Sequence, residues 1–148
     1  MAKPSQFTNR IDYYNHIISA GGKHAPISQL IGLELVNVGE GTATFELEVT
    51  PNLFNSLGIL HGGIIATIAD AAMGVAFGTL CGINDIFNTV EFKINFLHPV
   101  KEGRIRARGH VVHRGNKTGV VEGEVENMNG DLVAKSLGTM ILLPPKIE

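Results

Sequence analysis

The sequence predicts an α+β fold in which an antiparallel sheet wraps around one long central helix. Two observations carry this prediction: a long, almost uncharged stretch near the middle of the chain, and several segments in which polar and apolar residues alternate. With 148 residues, the chain is long enough for one domain with a substantial core and too short for two ordinary domains. We therefore expect a single domain over residues 1–148, in which residues 1–30 form an N-terminal helical segment.

The first predicted element is a short amphipathic helix over residues 9–20, which a Gly-Gly pair ends. Its apolar residues recur at helical spacing: Ile11, Tyr14, Ile17 and Ile18. Two strands follow, over residues 31–39 and 41–50. In the second, threonine and glutamate alternate with apolar residues, which is typical of a strand with one wet face and one buried face.

The stretch over residues 57–83 contains one charged residue, Asp70, and by length alone it could cross a bilayer. We disfavour a membrane span because a carboxylate near the bilayer centre is costly, because glycines interrupt the stretch, and because no positive charges flank it closely. A helix that is apolar on all sides must instead be surrounded by protein. We therefore expect a buried helix over residues 61–82.

Four more alternating segments, over residues 89–100, 104–115, 118–128 and 131–143, predict four further strands. Short turns separate the later ones, and Asn129-Gly130 is a strong hairpin signal. Because short turns cannot make parallel crossovers, we expect these four strands to form an antiparallel meander. One face of that sheet needs an apolar cover, which the long helix can supply.

Composition excludes several classes of protein. Lys plus Arg number 12 and Asp plus Glu number 14, so the formal net charge is −2, which argues against a dedicated nucleic-acid-binding protein. A single cysteine, Cys81, excludes an intrachain disulfide framework and an all-cysteine zinc site, and we expect it to be buried filler. The first ten residues lack the apolar stretch of a secretory signal, so we expect a cytoplasmic protein.

Asp70 is the most informative residue for function, because it is the sole charge on a helix that should be buried. A buried ionised carboxylate is costly unless it is paired or hydrogen-bonded. One interpretation is a structural aspartate that backbone groups or water satisfy. The other, which we favour, is a catalytic carboxylate in a cleft.

Small residues recur every four positions along the same helix: Ala66, Asp70, Gly74, Gly78 and Gly82. Glycine inside a helix costs about 1 kcal/mol relative to alanine, so it is tolerated where another backbone or a ligand must come close. We favour tight packing as the explanation. A channel for a slender substrate is the alternative, and the two can coexist.

The predicted start of the helix provides polar backbone groups that could act together with the Asp70 carboxylate. Gly62 and Gly63 present free N–H groups there, and the helix dipole places its positive end at the same point. This arrangement suits an anion or a carbonyl oxygen that becomes an oxyanion. His61 and Asn55 could orient such a site, although each could also simply cap the helix.

The motif Asn-x-x-Gly-x-x-His-Gly-Gly over residues 55–63, followed by IIATIAD and then by TVEFKINFLHPV, resembles the hotdog-fold acyl-CoA thioesterases of the phenylacetate-degradation (PaaI-type) group. The similarity runs from about Gly32 to Leu143. It implies a hotdog fold and hydrolysis of acyl-CoA thioesters without a metal or other cofactor. It also implies a homodimer paired sheet edge to sheet edge, active sites shared between the two protomers, and further pairing into a homotetramer.

The resemblance assigns roles to residues of this chain. The family's catalytic carboxylate matches Asp70, its oxyanion-binding amide matches Gly62, and its helper for the attacking water falls on Thr89, while Asn55 and His61 complete the catalytic set. His98 stands where the family often has arginine, and residues 114–116 resemble a coenzyme A contact region. The positions that we expect to bind substrate are Gly63, Asn88, Met73, Phe77, His98, Arg114, Gly115 and Asn116.

Several alternatives stay open at this level. Asp70 can activate a water molecule or attack the thioester carbonyl directly. A hotdog hydroxyacyl thioester dehydratase that uses His61 with Asp70, and a non-catalytic acyl-CoA-binding module, are rival functions. The acyl group could be aryl-acetyl, medium-chain, keto or hydroxy. Arg104, Arg106 and Arg108 share one strand face, which we expect to be solvated, with binding of coenzyme A phosphates as the alternative.

Overall fold

The computed structural model describes residues 3–144 and confirms an antiparallel sheet wrapped around one long helix. The helices are α1 (Arg10–Ser19), α2 (Pro26–Ile31) and α3 (Gly62–Gly78). The strands are β1 (Leu33–Gly39), β2 (Thr42–Glu48), β3 (Ile86–Phe96), β4 (Arg104–Arg114), β5 (Thr118–Asn127) and β6 (Leu132–Leu143). They pair in the order β1-β2-β4-β5-β6-β3, and every neighbouring pair is antiparallel. No helix within residues 3–144 has the length and apolar character needed to cross a membrane.

The central helix α3 forms the middle of the core because it presents apolar side chains to the concave face of the sheet. Its fully buried residues are Ile68, Ala69, Ala72, Met73, Ala76 and Phe77. The helix ends at Gly78, so its predicted end near Gly82 is wrong. Gly82 lies in a turn instead, where its N–H donates to the Asp85 carboxylate at 2.6 Å and its carbonyl accepts from Arg10 at 2.9 Å.

The glycines of the helix differ in what surrounds them. A Cβ at Gly78 would lie 2.5 Å from the Tyr14 hydroxyl and 2.7 Å from Phe87, so this position is tightly packed. A Cβ at Gly74 would meet nothing within 4 Å. The closest approach of helix and sheet is at Gly109 of β4, where a Cβ would lie 2.2 Å from the carbonyl oxygen of Ala72. Tight packing therefore explains Gly78, whereas Gly74 borders open space.

The predicted meander of the last four strands is wrong in its first step. β4, β5 and β6 follow one another as predicted, but β3 pairs with β6, and β4 pairs with β2. The connection over residues 97–103 is tied to other elements: the Leu97 N–H donates to the Val133 carbonyl, and the Val100 carbonyl accepts from the Leu60 N–H, both at 2.8 Å. These hydrogen bonds fix the connection from β3 to β4, so β4 pairs with β2 and β3 lies at the edge of the sheet.

The arginines of β4 lie on the solvent face of the sheet and pair with glutamates of the neighbouring strands. Arg104 and Arg106 contact Glu46 at 3.0 and 2.6 Å, and Arg108 contacts Glu126 at 2.7 Å. These pairs favour the solvated face over phosphate binding. Burial disfavours the ionised carboxylate of Glu46, but the hydrogen bonds and charges of Arg106 and Arg104 outweigh it and hold the pKa of Glu46 below its usual value.

We expect Glu46→Gln to lower the free energy of unfolding by about 1 kcal/mol at neutral pH, because the variant loses charge-assisted hydrogen bonds. A lowered folded-state pKa stabilises the fold above the unfolded-state pKa, and this contribution is lost as the pH falls through the folded-state pKa. The difference from wild type should therefore shrink below about pH 4 in urea unfolding. Glu48→Gln is the control, since Glu48 is 59% exposed and makes a single ion pair. Equal stability of the Glu46 variant and wild type at neutral pH would contradict the assignment.

The N-terminal segment packs beside the C-terminal half of α3. The predicted first helix is confirmed as α1, which buries Tyr13, Tyr14 and Ile17. The guanidinium of Arg10 lies 5.0 Å from the centre of the Phe87 ring, in addition to its hydrogen bond to the turn after α3. These contacts anchor α1 and place residues 24–28 against the middle of the central helix.

Candidate active site

Asp70 extends from the middle of α3 towards β3, where Thr89 holds it. The Thr89 hydroxyl donates to one carboxylate oxygen of Asp70 at 2.8 Å. Within residues 3–144 no lysine, arginine or histidine forms an ion pair with this carboxylate. Its charge is therefore free to act on a bound molecule, as a base or as a nucleophile.

A β-bulge in β3 brings Thr89 to the carboxylate. The pairing of β3 with β6 shifts by one residue between Thr89 and Glu91, so Val90 is the extra residue and is 56% exposed. Without the bulge, Thr89 and Phe92 would point to opposite faces, because side chains alternate along a strand. With it, both point towards the helix, so the bulge aims the threonine at Asp70.

Asp70 borders a cavity of about 320 Å³, near the lower end of the range for small-molecule sites. α3 contributes Thr67 and Gly74 to its lining, and β3 contributes Asn88 and Thr89. Two of the predicted site residues, Asn88 and Thr89, are thus brought together with Asp70. Gly74 lies one helical turn beyond Asp70 and adds space, because it has no side chain.

We expect Gly74→Ala to raise the free energy of unfolding by about 1 kcal/mol, because alanine favours a helix over glycine and the added methyl group meets no neighbour. Gly78→Ala is the matched control on the same helix and should destabilise the protein, because its methyl group would collide with Tyr14 and Phe87. Chemical denaturation of both variants measures the difference. A destabilised Gly74→Ala variant would show that this side of the helix is not open.

The start of α3 presents the backbone N–H groups of Gly62 and Gly63. His61 is the N-cap, and its Nδ1 accepts a hydrogen bond from the Gly63 N–H at 2.8 Å. The Gly63 amide is therefore occupied, which argues against its predicted role in binding substrate. The Gly62 N–H makes no hydrogen bond with any residue that the structure describes, so it is the free donor at the positive end of the helix.

Asn55 shapes the turn that leads into this helix. Its side-chain oxygen accepts from the backbone N–H groups of Leu57 and Ile59, at 2.9 and 3.4 Å. These two bonds identify the oxygen and leave the NH₂ group without a partner within residues 3–144. Asn55, Gly62 and His98 border a second cavity of about 350 Å³, together with the ring of Phe96. The amide donors of Gly62 and Asn55 thus share one cavity.

The Asp70 carboxylate and the Gly62 N–H are too far apart within one chain to act on the same carbonyl group. Gly62 precedes Asp70 by eight residues on the same helix, and a rise of about 1.5 Å per residue separates them by about 12 Å. A general base and an oxyanion donor must each lie about 3 Å from the reacting atoms. Within one protomer, the Asp70 carboxylate and the Gly62 amide therefore cannot both reach the same carbonyl group.

Several predicted substrate-binding residues lie away from both cavities. Met73 and Phe77 are fully buried in the core, where Met73 contacts Ser136 and Phe77 packs against Phe87 at 5.7 Å between ring centres. The guanidinium of Arg114 lies 5.0 Å from the Phe77 ring centre, and it donates to the carbonyl of the adjacent Gly115. These contacts give Met73 and Phe77 a packing role. Contact of coenzyme A with Arg114, Gly115 and Asn116 stays a prediction.

Residues from the N-terminal segment complete the wall of the Asp70 cavity, and sequence reasoning missed them. Tyr14 of α1, Ser28 of α2 and His24 between these helices all border it. Sequence reasoning treated residues 1–30 only as a helical segment, and no spacing pattern relates them to Asp70. Within residues 3–144 no group of His, Cys, Asp or Glu side chains could hold a metal ion.

Comparison with known proteins places this geometry in a family. The profile of the Thioesterase superfamily matches residues 57–134, a range that includes α3, β3, β4 and β5 and the first residues of β6. A protein of Saccharolobus solfataricus with a provisional name as an esterase is 33% identical over 124 residues, which cover 82% of this chain and 86% of that protein. The match therefore extends over more than four fifths of each chain.

Two further proteins extend the comparison to solved structures. The acyl-coenzyme A thioesterase PaaI of Escherichia coli is 29% identical over 108 residues, 72% of this chain and 75% of its own. Its structure superposes with a TM-score of 0.81 at 24% identity, over 94% of this chain and 97% of that one. The structure of the conserved protein PA5202 from Pseudomonas aeruginosa gives 0.78 at 35% identity, over 82% and 97%. Both superpositions confirm the predicted hotdog fold.

Proposed function

Because the chain belongs to the thioesterase superfamily, we propose that it hydrolyses acyl-CoA thioesters to a free acid and coenzyme A. The observation that carries this proposal is the Asp70 carboxylate, which borders a cavity, accepts a hydrogen bond from Thr89 and has no described cation beside it. Acyl-CoA thioesterase activity is also what the name of the E. coli relative states of that protein. The mechanism needs no metal or other cofactor.

In the proposed reaction, Asp70 takes a proton from water while the oxygen of that water attacks the thioester carbonyl carbon. The carbonyl oxygen becomes an oxyanion, which the Gly62 N–H and the Asn55 side-chain NH₂ stabilise. The carbon–sulfur bond then breaks, and the coenzyme A thiolate takes up the proton that Asp70 carries. In the second possible route, Asp70 attacks the carbonyl itself, and water hydrolyses the resulting anhydride. Thr89 orients the carboxylate in both.

We propose a homodimer that joins Asp70 of one protomer to Gly62 of the partner subunit. The 12 Å separation within one chain supports this arrangement, because two-fold pairing can bring opposite halves together. β3 supplies a free edge, since it pairs only with β6, and Ile86 and Val90 on this strand are exposed. Exposed Val112 of β4 and Leu137 of β6 offer apolar contacts through which two dimers pair into a tetramer. We place the protein in the cytoplasm, where a lone thiol such as Cys81 stays reduced.

A mixed dimer tests the shared site. Asp70→Asn lacks the base, and Gly62→Pro lacks the amide donor, so each homodimer should be inactive. When the two variants are co-expressed with different tags, the purified heterodimer has one doubly defective site and one intact site. It should regain about half of the wild-type activity per dimer. Heterodimers as inactive as both parents would place the two groups in one chain and overturn the shared site.

A thiol-release screen tests the reaction itself. Acyl-CoAs of increasing chain length and aryl-CoAs should release free thiol with wild-type protein and much less with Asp70→Asn. Hydration of an enoyl-CoA without thiol release would identify a dehydratase instead. Tight acyl-CoA binding with neither reaction would identify a binding module. His61, the N-cap of α3, precedes Asp70 by nine residues, or about 13 Å, so the two cannot form an acid–base pair within one chain.

A further inference from the structure

The cavity beside Asp70 is closed at one end by two aromatic side chains. Gly74 lines the cavity, and a Cβ there would meet nothing within 4 Å. At Gly78, one helical turn later on α3, a Cβ would lie 2.5 Å from the Tyr14 hydroxyl oxygen and 2.7 Å from the Phe87 ring. Tyr14 and Phe87 line the cavity, whereas Gly78 does not. The two aromatic side chains thus close the cavity between Gly74 and Gly78, and we call them its floor.

Contacts on the far side hold the floor in place. The Phe87 ring packs edge-on against the fully buried Phe77, with 5.7 Å between ring centres. The guanidinium of Arg10 lies 5.0 Å from the centre of the Phe87 ring and is itself hydrogen-bonded to the turn after α3. Tyr14 is 4% exposed and packs against Tyr13, with 5.4 Å between ring centres. Because close-packed side chains cannot move aside without strain, the floor resists a substrate chain that presses on it.

Apolar side chains provide much of the lining between Asp70 and the floor. They are Ala71, Val75, Leu33 and Ile27. Within residues 3–144 no lysine or arginine lines this space. An acyl group gains free energy when it leaves water for such a surface, in proportion to the apolar area that it buries. Each carbon that fits should therefore increase kcat/KM until the chain reaches the floor.

The distance from Asp70 to the floor limits the length of the acyl group. Gly74 and Gly78 follow Asp70 by four and eight residues, which places them about 6 and 12 Å further along the helix. An extended acyl chain advances about 1.3 Å per carbon, because C–C bonds of about 1.5 Å alternate in direction. With its thioester carbonyl at Asp70, a chain therefore reaches the floor after about five to nine further carbons.

We propose that Tyr14 and Phe87 set an upper limit on acyl-chain length. The protein then acts on acyl-CoAs with short or medium chains or an aryl-acetyl group, and discriminates against long chains. Tyr14 belongs to α1, outside the range 57–134 that the superfamily profile matches. The N-terminal segment thus determines specificity at a carboxylate that the matched range supplies. This inference rests on the proposed acyl-CoA hydrolysis and names the substrate class of the same site.

The first test is the dependence of kcat/KM on chain length, from butanoyl-CoA to hexadecanoyl-CoA at concentrations below micelle formation. For wild type, kcat/KM should rise to a maximum between hexanoyl-CoA and decanoyl-CoA. It should be at least about 10-fold lower for tetradecanoyl-CoA, the scale on which a shaped pocket discriminates between chains. An equal or higher kcat/KM for tetradecanoyl-CoA than for octanoyl-CoA would overturn the inference.

Phe87→Leu and Tyr14→Leu each remove part of the floor. Each should increase kcat/KM for tetradecanoyl-CoA relative to octanoyl-CoA by about 10-fold. Tyr13→Leu is the matched control, because Tyr13 is a buried aromatic residue on the same helix as Tyr14 but does not line the cavity. It should leave the chain-length profile unchanged. A similar shift in the Tyr13 variant, or no shift in either floor variant, would contradict the inference.

Gly74→Ala keeps the inference testable if the smaller floor residues prevent folding. Its methyl group extends into the cavity without meeting a neighbour, so the variant should fold. The narrower passage should lower kcat/KM for octanoyl-CoA about 10-fold more than for butanoyl-CoA. Equal effects on the two substrates would show that longer chains do not pass Gly74 on their way to the floor, and would overturn the inference.

Failure of the proposed hydrolysis is a separate outcome, in which no acyl-CoA releases thiol. Calorimetric dissociation constants for octanoyl-CoA and tetradecanoyl-CoA then decide the inference. Binding of octanoyl-CoA that is about 10-fold tighter, with a preference that Phe87→Leu abolishes, supports the floor. Binding of tetradecanoyl-CoA that is equally tight or tighter overturns it.

Discussion

Asp70→Asn should lower kcat by at least about 100-fold, the scale of losing a general base, while KM changes little. Asparagine has the same shape and keeps an oxygen that can accept the Thr89 hydrogen bond, but it can neither take a proton from water nor attack the carbonyl well. The variant should be as thermally stable as wild type or more so, because the lost group is a partly buried charge without a described cation. Steady-state thiol release and thermal unfolding measure the two effects.

Asp85→Asn is the control for this substitution. The Asp85 carboxylate accepts from the Gly82 N–H in the turn after α3, away from both cavities. Its loss should affect stability more than turnover. Turnover by Asp70→Asn within about threefold of wild type would remove Asp70 from the mechanism, since general-base catalysis contributes far more than that.

Gly62→Pro should lower kcat by about 100- to 1000-fold, the scale of losing one oxyanion-hole donor. Proline removes the backbone N–H, and the first position of a helix is the one place in a helix where proline is well tolerated. The preceding residue, His61, already has φ −63° and ψ 133°, which is the conformation that a following proline requires. Circular dichroism should therefore show an intact helix, while thiol release falls.

Gly62→Ala is the matched control, because it adds a side chain and keeps the N–H. Its Cβ would lie 3.2 Å from the edge of the Phe96 ring, and that ring is 53% exposed and free to shift. Alanine should thus retain most of the activity that proline removes. Equal losses in the two variants would point to crowding at Phe96, and the Gly62 amide would then have no special role.

The helix and its carboxylate could be predicted from the sequence because both depend on local pattern. A long apolar stretch with one charge has few stable arrangements in a folded domain, and Asp70 at its centre identifies the polar side of the helix. The alternation of polar and apolar residues likewise predicted strands. Asn55, His61 and Gly62 could be grouped because they precede the helix within a few residues of one another.

Other features depend on contacts between distant parts of the chain, which no local pattern encodes. The pairing of β3 with β6 depends on how the 97–103 connection is bound by Leu60 and Val133. The position of Thr89 depends on a bulge that interrupts the alternation of its strand. His24 and Ser28 approach Asp70 only because α1 is anchored near the end of α3.

The burial of Met73 and Phe77 also depends on distant parts of the chain. We expected both to bind substrate, and both share a face of α3 with Asp70, because they follow it by three and seven residues. The C-terminal half of α3 is, however, covered on more than one side, by Tyr14, Phe87 and Arg114 as well as by the sheet. A spacing rule identifies residues that share a face, but it does not reveal what covers that face.

The separation of Gly62 from Asp70 along one rigid helix also bears on when the protein becomes active. With the site shared between protomers as proposed, a newly synthesised chain would fold with Asp70 and Gly62 in place and still be inactive, because these two groups of one protomer cannot reach the same carbonyl. Catalysis would begin only on encounter with a second copy. Cells that make very little of the protein would then gain turnover more steeply than in proportion to the number of chains.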